Sequence, residues 1–426
     1  MLKTPIARGV ALATLGATLA IPSMAQAEFI KDSKAGLELR NFYFNRDFRE
    51  DAGQSKREEW AQGFLLRYES GFTEGTVGFG VDAMGLLGVK LDGGDGTAGS
   101  DLLPADGSGG SQDEYSHITY AAKARVSKST LKVGDLQLKN MAIASSDGRL
   151  LPQTFQGGQI TSMEVDGLTL DAGYLNRVNN RNSTNNEVMT LSNRGSARTP
   201  NASGILSTGG AANESDDFRY LGGSYKVMDN LTASYYYSKL EDMYKQHSFN
   251  LVHVLPLADK QSLKTDVRYA RSKDDGSTNV DNKAFGAMAT YSLSGHSFGL
   301  GYQQMKGDTG FAYVGGTDPF LVNYVQIGHF GNQEEKSWQA RYDYNFASIG
   351  IPGLTFMTRY LTGDNVDRGA QSDGKEWERN TDIAYIFQDG ALKNLGVRWR
   401  NATMRSNFAR DIDENRLIVS YTLPLL

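Results

Sequence analysis

No cysteine occurs in the 426 residues, and only five histidines do. Without thiols there can be no disulfide framework, no thiol nucleophile and no cysteine-ligated zinc. Long apolar runs are scarce as well: mean hydropathy is −0.44. That leaves no room for a bundle of membrane helices, each needing ~20 consecutive apolar residues. Positive charge is in deficit, with 44 Lys and Arg against 49 Asp and Glu and a formal net charge of −5. An acidic total argues against a general nucleic-acid binder. What the chain has in quantity is glycine, 48 residues, with 21 tyrosines and 19 phenylalanines.

The first residues read as an address. Lys3 and Arg8 form a positive flank, Gly9 to Ile21 an uncharged apolar core, and Ala25-Gln26-Ala27 a small-x-small cleavage pattern. The apolar run is too short to span a bilayer at ~1.5 Å per residue, and Pro22 beside a charged flank suits a buried helix poorly. Residues 1–27 are predicted to be a Sec-type signal peptide, and residues 28–426 the exported domain, with no further boundary. Loss of Lys3 and Arg8 takes the formal charge from −5 to −7.

The exported region alternates. Trp338, Ala340, Tyr342, Tyr344 and Phe346 share one face, and Gln339, Arg341, Asp343 and Asn345 the other. A two-residue period means a strand with one apolar and one polar side. The same pattern runs through Leu263 to Ala270, Leu354 to Leu361 and Arg416 to Leu425. Eighteen such segments can be drawn between residues 35 and 424, among them 130–139, 158–165 and 217–227. Most approach the ~10 residues a tilted membrane strand requires.

The connections carry more information than the strands. Short turns such as Asp229-Asn230, Asp259-Lys260, Ser294-Gly295 and Gln388-Asp389-Gly390 follow even-numbered strands. Long polar, glycine-rich connections (91–114, 140–157, 179–216, 307–335) follow odd-numbered ones. Loops sorted by length onto two rims mark an outer-membrane barrel, whereas a soluble β-sandwich has no reason to sort them. Amides in lipid must all be paired, so the sheet has to close on itself. The predicted fold is thus all-β: a closed transmembrane antiparallel barrel of about eighteen strands. Trp338, Tyr344, Tyr360, Trp399 and Tyr421 fit an interfacial aromatic girdle.

If the apolar faces touch lipid, the opposite faces line water. On them fall Arg40, Arg67, Arg125, Arg219, Arg268, Arg341, Arg359, Arg398, Arg400 and Arg416, with Lys123 and Lys264. A charge on the lipid face at mid-depth costs ~2–4 kcal/mol, which favours this assignment. The acidic excess is then expected in loops and rims, as in Asp92 to Asp95, Glu214 to Asp217 and Asp411 to Glu414. An arginine-lined water path lowers the barrier for anions and raises it for cations. Any one of these arginines is as readily explained by pairing with a lumen carboxylate; ten together are not. The loop Asn140 to Gly157 holds Ala142-Ile143-Ala144 and Leu150-Leu151. Apolar residues there are best hidden if the loop folds into the barrel, which would put Arg149 at a constriction.

The stretches Leu39 to Asp47, Tyr68 to Ala83, Arg149 to Thr154, Lys336 to Asp343, Pro352 to Met357 and Arg416 to Val419 stand out. Together they resemble the OprD-type outer-membrane carboxylate channels, a family of substrate-specific porins. The resemblance implies an 18-stranded barrel, monomeric or loosely trimeric, with its third external loop folded inward. It also implies a ladder of basic residues guiding a solute carboxylate. By matching motifs Arg149 is similar to the constriction arginine, Arg398, Arg400 and Arg416 to rungs, and Arg40 more weakly so. The seventh external loop, 307–335, would form the other side, offering Tyr324 and His329 with Asp318 as the nearest carboxylate. The branch of the family that takes basic amino acids uses acidic residues there, so this chain is closer to the branch for anionic carboxylates.

The expected function is therefore passive diffusion of small carboxylate-bearing solutes: organic or aromatic acids, and amino acids. The pore lining would be Arg149, Arg398, Arg400, Arg416, Arg40, Arg359, Arg341, Arg268, Tyr324 and His329. The expected surroundings are outer-membrane lipid and lipopolysaccharide, with no cofactor or metal. Two alternatives remain, a barrel enzyme and a loop-mediated receptor or adhesin. The histidines His117, His247, His253, His296 and His329 accompany no G-x-S-x-G or similar signature, which weighs against catalysis.

Overall fold

The computed structural model describes residues 29–49, 53–192, 205, 213–369 and 371–426. The proposed signal segment lies outside the described residues. Strands β1 (Lys34–Phe48), β2 (Lys56–Glu69), β3 (Gly78–Asp92), β4 (Glu114–Val126), β5 (Ser129–Leu136) and β6 (Thr154–Ser162) come first. Then follow β7 (Leu168–Asn179), β8 (Phe218–Met228), β9 (Leu231–Leu240), β10 (Tyr244–Ala258), β11 (Gln261–Asp274) and β12 (Asp281–Leu293). The last six are β13 (His296–Lys306), β14 (Lys336–Asn345), β15 (Leu354–Val366), β16 (Gly374–Ile386), β17 (Gly396–Ser406) and β18 (Ile412–Pro424).

Among the described residues these eighteen form one antiparallel ring. Closure is made by β1 against β18, in unbroken register from Gly36↔Pro424 to Phe48↔Ile412. Every edge is thereby paired, as an apolar surrounding demands. Four short strands lie outside the ring among the described residues: Asn186–Glu187 on the end of β7, and Met189–Ser192, Glu214–Ser215 and Tyr313–Val314, which form a small sheet of their own.

The two rims are sorted as the sequence implies. Ser294 and Gly295 join β12 to β13 with positive φ at both positions (45° and 94°), the twist of a tight hairpin. Apolar residues stand on the outer wall: Leu300 is 71 % exposed and Trp338 61 %. Tyr302 packs against Trp338 at 4.5 Å and Tyr360 against Trp377 at 5.7 Å, forming part of an aromatic band near the rim of the long loops.

Three local expectations need correction. The segment expected at 158–165 runs from Thr154 to Ser162, because the Gly157-Gly158 pair is part of the strand rather than a break. Gly157 takes φ +159°, and a Cβ there would stand 2.0 Å from the Tyr174 carbonyl, so the bulge admits only glycine. Arg219 points outward, 62 % exposed in its side chain and paired with Asp217 at 2.5 Å, while Phe218 and Tyr220 are buried inside. Glu414, expected on a rim, is fully buried on the inner wall.

Candidate functional site

The inner face of the barrel is not uniformly polar. Phe42, Phe44, Leu65, Leu86 and Tyr115 point inward and pack on Leu102 and Leu103 of the loop after β3 and on Leu150 and Leu151 of the loop after β5. Met141 and Ile143 of the latter loop bury against Leu136, Phe155, Phe218 and Tyr244. The loop after β13 seats Phe311 and Leu321 on Ala270, Ala284 and Met305, and Ile327 on Ala402, Met404 and Ile412. Each fully buried Leu, Ile or Phe contributes about 1.5–3 kcal/mol relative to exposure. The loops therefore lie inside the barrel and narrow it, and residues 137–153 fold inward as expected.

Polar pins complete the seating. Arg40 Nη1 donates to Asp147 Oδ1 at 2.7 Å, to the Arg149 carbonyl at 2.9 Å and to the Leu150 carbonyl at 3.3 Å. Arg268 chelates Asp266, donates to the Leu321 carbonyl at 3.0 Å and stacks 4.2 Å from the Phe320 ring. Glu378 accepts the amides of Ile327 (3.0 Å) and Gly328 (2.7 Å). Asp318 N donates to the Ala144 carbonyl at 3.0 Å, which ties the two constricting loops to each other. Of the ten candidate residues, Arg40 and Arg268 are thus loop anchors first. In single-channel recordings Arg40→Ala is expected to raise mean conductance and open-channel noise, since Asp147 and two carbonyls lose their donor. An unchanged trace would mean that apolar packing alone holds the loop.

The remaining arginines gather on one wall. Arg341 of β14 stands directly opposite Arg359 of β15, and Arg400 of β17 directly opposite Arg416 of β18. Asp382 of β16 faces Arg400, and Arg416 faces Phe44 of β1 in turn. A row of directly opposed residues runs across strands that tilt ~35–45°, so it climbs the wall obliquely in steps of ~5 Å. Like charges directly opposite destabilise a sheet, and here two such pairs occur on one inner face.

Compensation along this row is uneven. Arg398 and Arg400 share one carboxylate, Asp382, at 2.5 and 3.2 Å. The Arg400 Nε contact is off the hydrogen-bond line, and that donor has no partner among the described residues. Arg341 pairs with Asp343 at 2.7 Å. Among the described residues Arg359 Nε donates to the neutral Asn380 side chain alone, at 2.6 Å. Arg416 and Arg46 share Glu414, at 2.6 and 2.5 Å. A concavity of about 500 Å³ at the short-turn end takes in Arg341, Asp343, Asp382 and Arg398.

Arg149 completes the row from the inward loop. Its Nε donates to the Ser100 carbonyl at 2.7 Å and its Nη1 to the Gly148 carbonyl at 2.9 Å, with no carboxylate in salt-bridge reach among the described residues. The guanidiniums of Arg149, Arg46 and Arg416 surround the Phe44 ring at 5.2, 5.4 and 5.4 Å. The ring face attracts cations and holds them side by side. Arg46 escaped the sequence reading, although its parity with Arg40 on β1 would have found it. Arg181, just after β7, also escaped: it reaches Asp101 at 3.4 Å and the Ser146 hydroxyl at 3.1 Å, inside the constriction. Nothing in the periodicity marks it, because it lies in a loop.

The two residues expected from the loop after β13 separate. The Tyr324 hydroxyl donates to Asp318 Oδ1 at 2.8 Å, so the nearest carboxylate of that loop is already engaged. His329 is 5 % exposed and sits edge-on to Tyr313 at 5.7 Å, so it belongs to the loop's own packing and does not line water.

A closed barrel of this size, with long loops folded into a charged lumen, defines an outer-membrane porin. The chain belongs to the OprD family: residues 27–425 match the model of the outer membrane porin, OprD family. It is 41 % identical to Porin D of Pseudomonas aeruginosa, with 95 % of this chain and 94 % of that protein covered. Identity to the porin-like protein GalP of Pseudomonas putida is 39 %, with 97 % of each covered. The crystal structure of Pseudomonas aeruginosa OpdQ matches at TM-score 0.86 and 64 % identity, over 94 % of this chain and all (100 %) of that one. The chain is therefore a substrate-specific porin of the bacterial outer membrane, and its relatives are transport channels rather than enzymes.

Proposed function

We propose that the pore conducts small carboxylate-bearing solutes, organic or aromatic acids and amino acids, by passive, binding-assisted diffusion. The observation that carries this reading is the pair of like-charged contacts, Arg341–Arg359 and Arg400–Arg416, on one inner wall. A mobile carboxylate accepts two-pronged hydrogen bonds from each guanidinium in turn and relieves the repulsion where it sits. Steps of ~5 Å let it pass from one rung to the next without full rehydration. Arg149 selects at the constriction and Arg398, Arg400 and Arg416 form the rungs, with Arg341 and Arg359 as their continuation. Asp318, engaged by Tyr324, is a weakened acceptor for a solute ammonium group, which favours anionic over cationic substrates.

In a planar bilayer the protein is expected to form small channels that a cognate carboxylate, added at increasing concentration, partly blocks. A panel of monocarboxylates, dicarboxylates and uncharged sugars of equal size tests the class. Sugars blocking as well as acids would sink it. The proposal extends to the state of the chain: cleavage after Ala27, and a monomer or loose homotrimer among outer-leaflet lipids. Mass spectrometry of the protein purified from membranes reads both the mature N-terminus and the assembly.

A further inference from the structure

A second row of opposed like charges lies on the outside of the barrel. Arg271 of β11 stands directly opposite Lys283 of β12, and Lys283 directly opposite Lys306 of β13. On the same face Lys273 lies two residues beyond Arg271 and four beyond Tyr269. Alternation fixes the direction: Ala270, Ser272, Asn282, Ala284 and Met305 are buried inside, and Lys273, Lys283 and Lys306 are exposed. Arg271 is held by Asp281, the carboxylate across from Lys273. Lys273, Lys283 and Lys306 make no ion pair among the described residues.

Their depth is fixed by what lies beneath. Tyr269, Phe285 and Tyr302 occupy the same outer face, two to four residues toward mid-membrane, and Phe285 approaches Tyr302 at 6.4 Å. Aromatic bands sit at the headgroup level of a bilayer. Cations ~7–13 Å farther along a tilted strand, on the rim of the long loops, stand at the phosphate level of the outer leaflet. The neighbouring sector differs. There Lys239 fills the cluster of Glu241 and Asp275 carboxylates at 2.9 and 3.0 Å, and Arg219 has Asp217, so those cations are already neutralised.

We propose that Lys273, Lys283 and Lys306 form a binding site for the phosphorylated headgroup of an outer-leaflet glycolipid. The inference shares with the proposed function only the orientation in the outer membrane, and it does not depend on the solute path. Lys283 and Lys306 are directly opposed and Lys273 lies diagonally from Lys283, so their ammonium groups repel one another in the free protein, and a polyphosphate headgroup laid across them removes that repulsion. The acyl chains of the same lipid then lie on the apolar wall below. Binding weakens as ionic strength rises, because the groups are exposed.

The test uses the full-length protein purified in a neutral detergent and freed of lipid. It is titrated with diphosphorylated lipid A and with the dephosphorylated form, and bound lipid is counted by native mass spectrometry. The triple variant K273Q/K283Q/K306Q is expected to lose about 100-fold in affinity for the diphosphorylated form, from roughly fivefold per cation near an anionic surface. Its heat-modifiable gel mobility and channel conductance, read on the same sample, report that the barrel is folded. A control double on a distant part of the long-loop rim, K56Q/K375Q on β2 and β16, is expected to keep its affinity. Equal binding of the two lipid forms, equal loss in the control, or a change in oligomeric state in place of lipid loss would each overturn the assignment. Absence of carboxylate block in the wild-type channel would instead strike the proposed function alone.

Discussion

Replacement of Arg149 by alanine is expected to lower the flux of a small monocarboxylate about tenfold at sub-saturating concentration. Flux of an uncharged sugar of similar size should change less than about twofold. The reasoning starts from its bonds. Arg149 is held by two backbone carbonyls and by the Phe44 ring, none of which carries formal charge. Its positive charge is therefore available to a passing anion, and a hydrogen bond to a charged partner is worth about 1.5–3 kcal/mol. The loop itself should stay in place, because Leu150 and Leu151 are buried and Arg40 binds the backbone carbonyl of residue 149, which alanine retains. Liposome swelling with matched acids and sugars measures both fluxes. A parallel fall in the two would mean that the loop had moved and that Arg149 was structural.

The second large effect belongs to Arg359. Its hydrogen-bonded partner among the described residues is a neutral side chain, Asn380, with no salt bridge, and it stands opposite Arg341. Arg359→Gln puts an amide nitrogen where Nε stood, so the bond to Asn380 can be kept while a charge with no carboxylate in salt-bridge reach among the described residues is removed. The anion-to-cation permeability ratio, read from the reversal potential across a salt gradient, is expected to fall about threefold or more. Arg398→Gln should do less, because Asp382 already neutralises Arg398 and would pass wholly to Arg400. If the two variants shift selectivity equally, proximity to the path matters and compensation does not. Barrel stability should rise slightly in Arg359→Gln, since one of the opposed like-charge pairs disappears.

The alternation of β14, β15 and β18 made the outer wall legible, and Trp338, Tyr360 and Leu417 are exposed there as read. The same logic failed on β8, where Arg219 faces out and Phe218 and Tyr220 face in. The cause is local. Near the rim of the long loops the outer wall meets headgroups and water, while the inner wall meets the apolar side of a folded loop. Polarity there reports the neighbour, not the side of the sheet. Glu414 reversed for a related reason: an acid beside a turn reads as a rim residue until two arginines, Arg46 and Arg416, are seen to close on it.

For the site, sequence parity found Arg341, Arg359, Arg398, Arg400 and Arg416 on the inner face. It could not rank them, because rank depends on which carboxylate each one meets: Asp382 serves two of them, while Arg359 makes no salt bridge among the described residues. His329 looked available in a loop and is enclosed by it. Arg181 looked like loop filler and stands in the constriction.

By itself the sequence determined a closed sheet of about eighteen strands, two unequal rims and an inner face rich in arginine. Those follow from a period of two and from the requirement that every amide in lipid be paired, both of which are local or topological rules. Tertiary structure alone decided which cations remain uncompensated, which arginines hold loops and which meet solute. Those outcomes rest on contacts between residues such as Arg40 and Asp147, 107 positions apart, and no periodicity encodes a distance across the lumen.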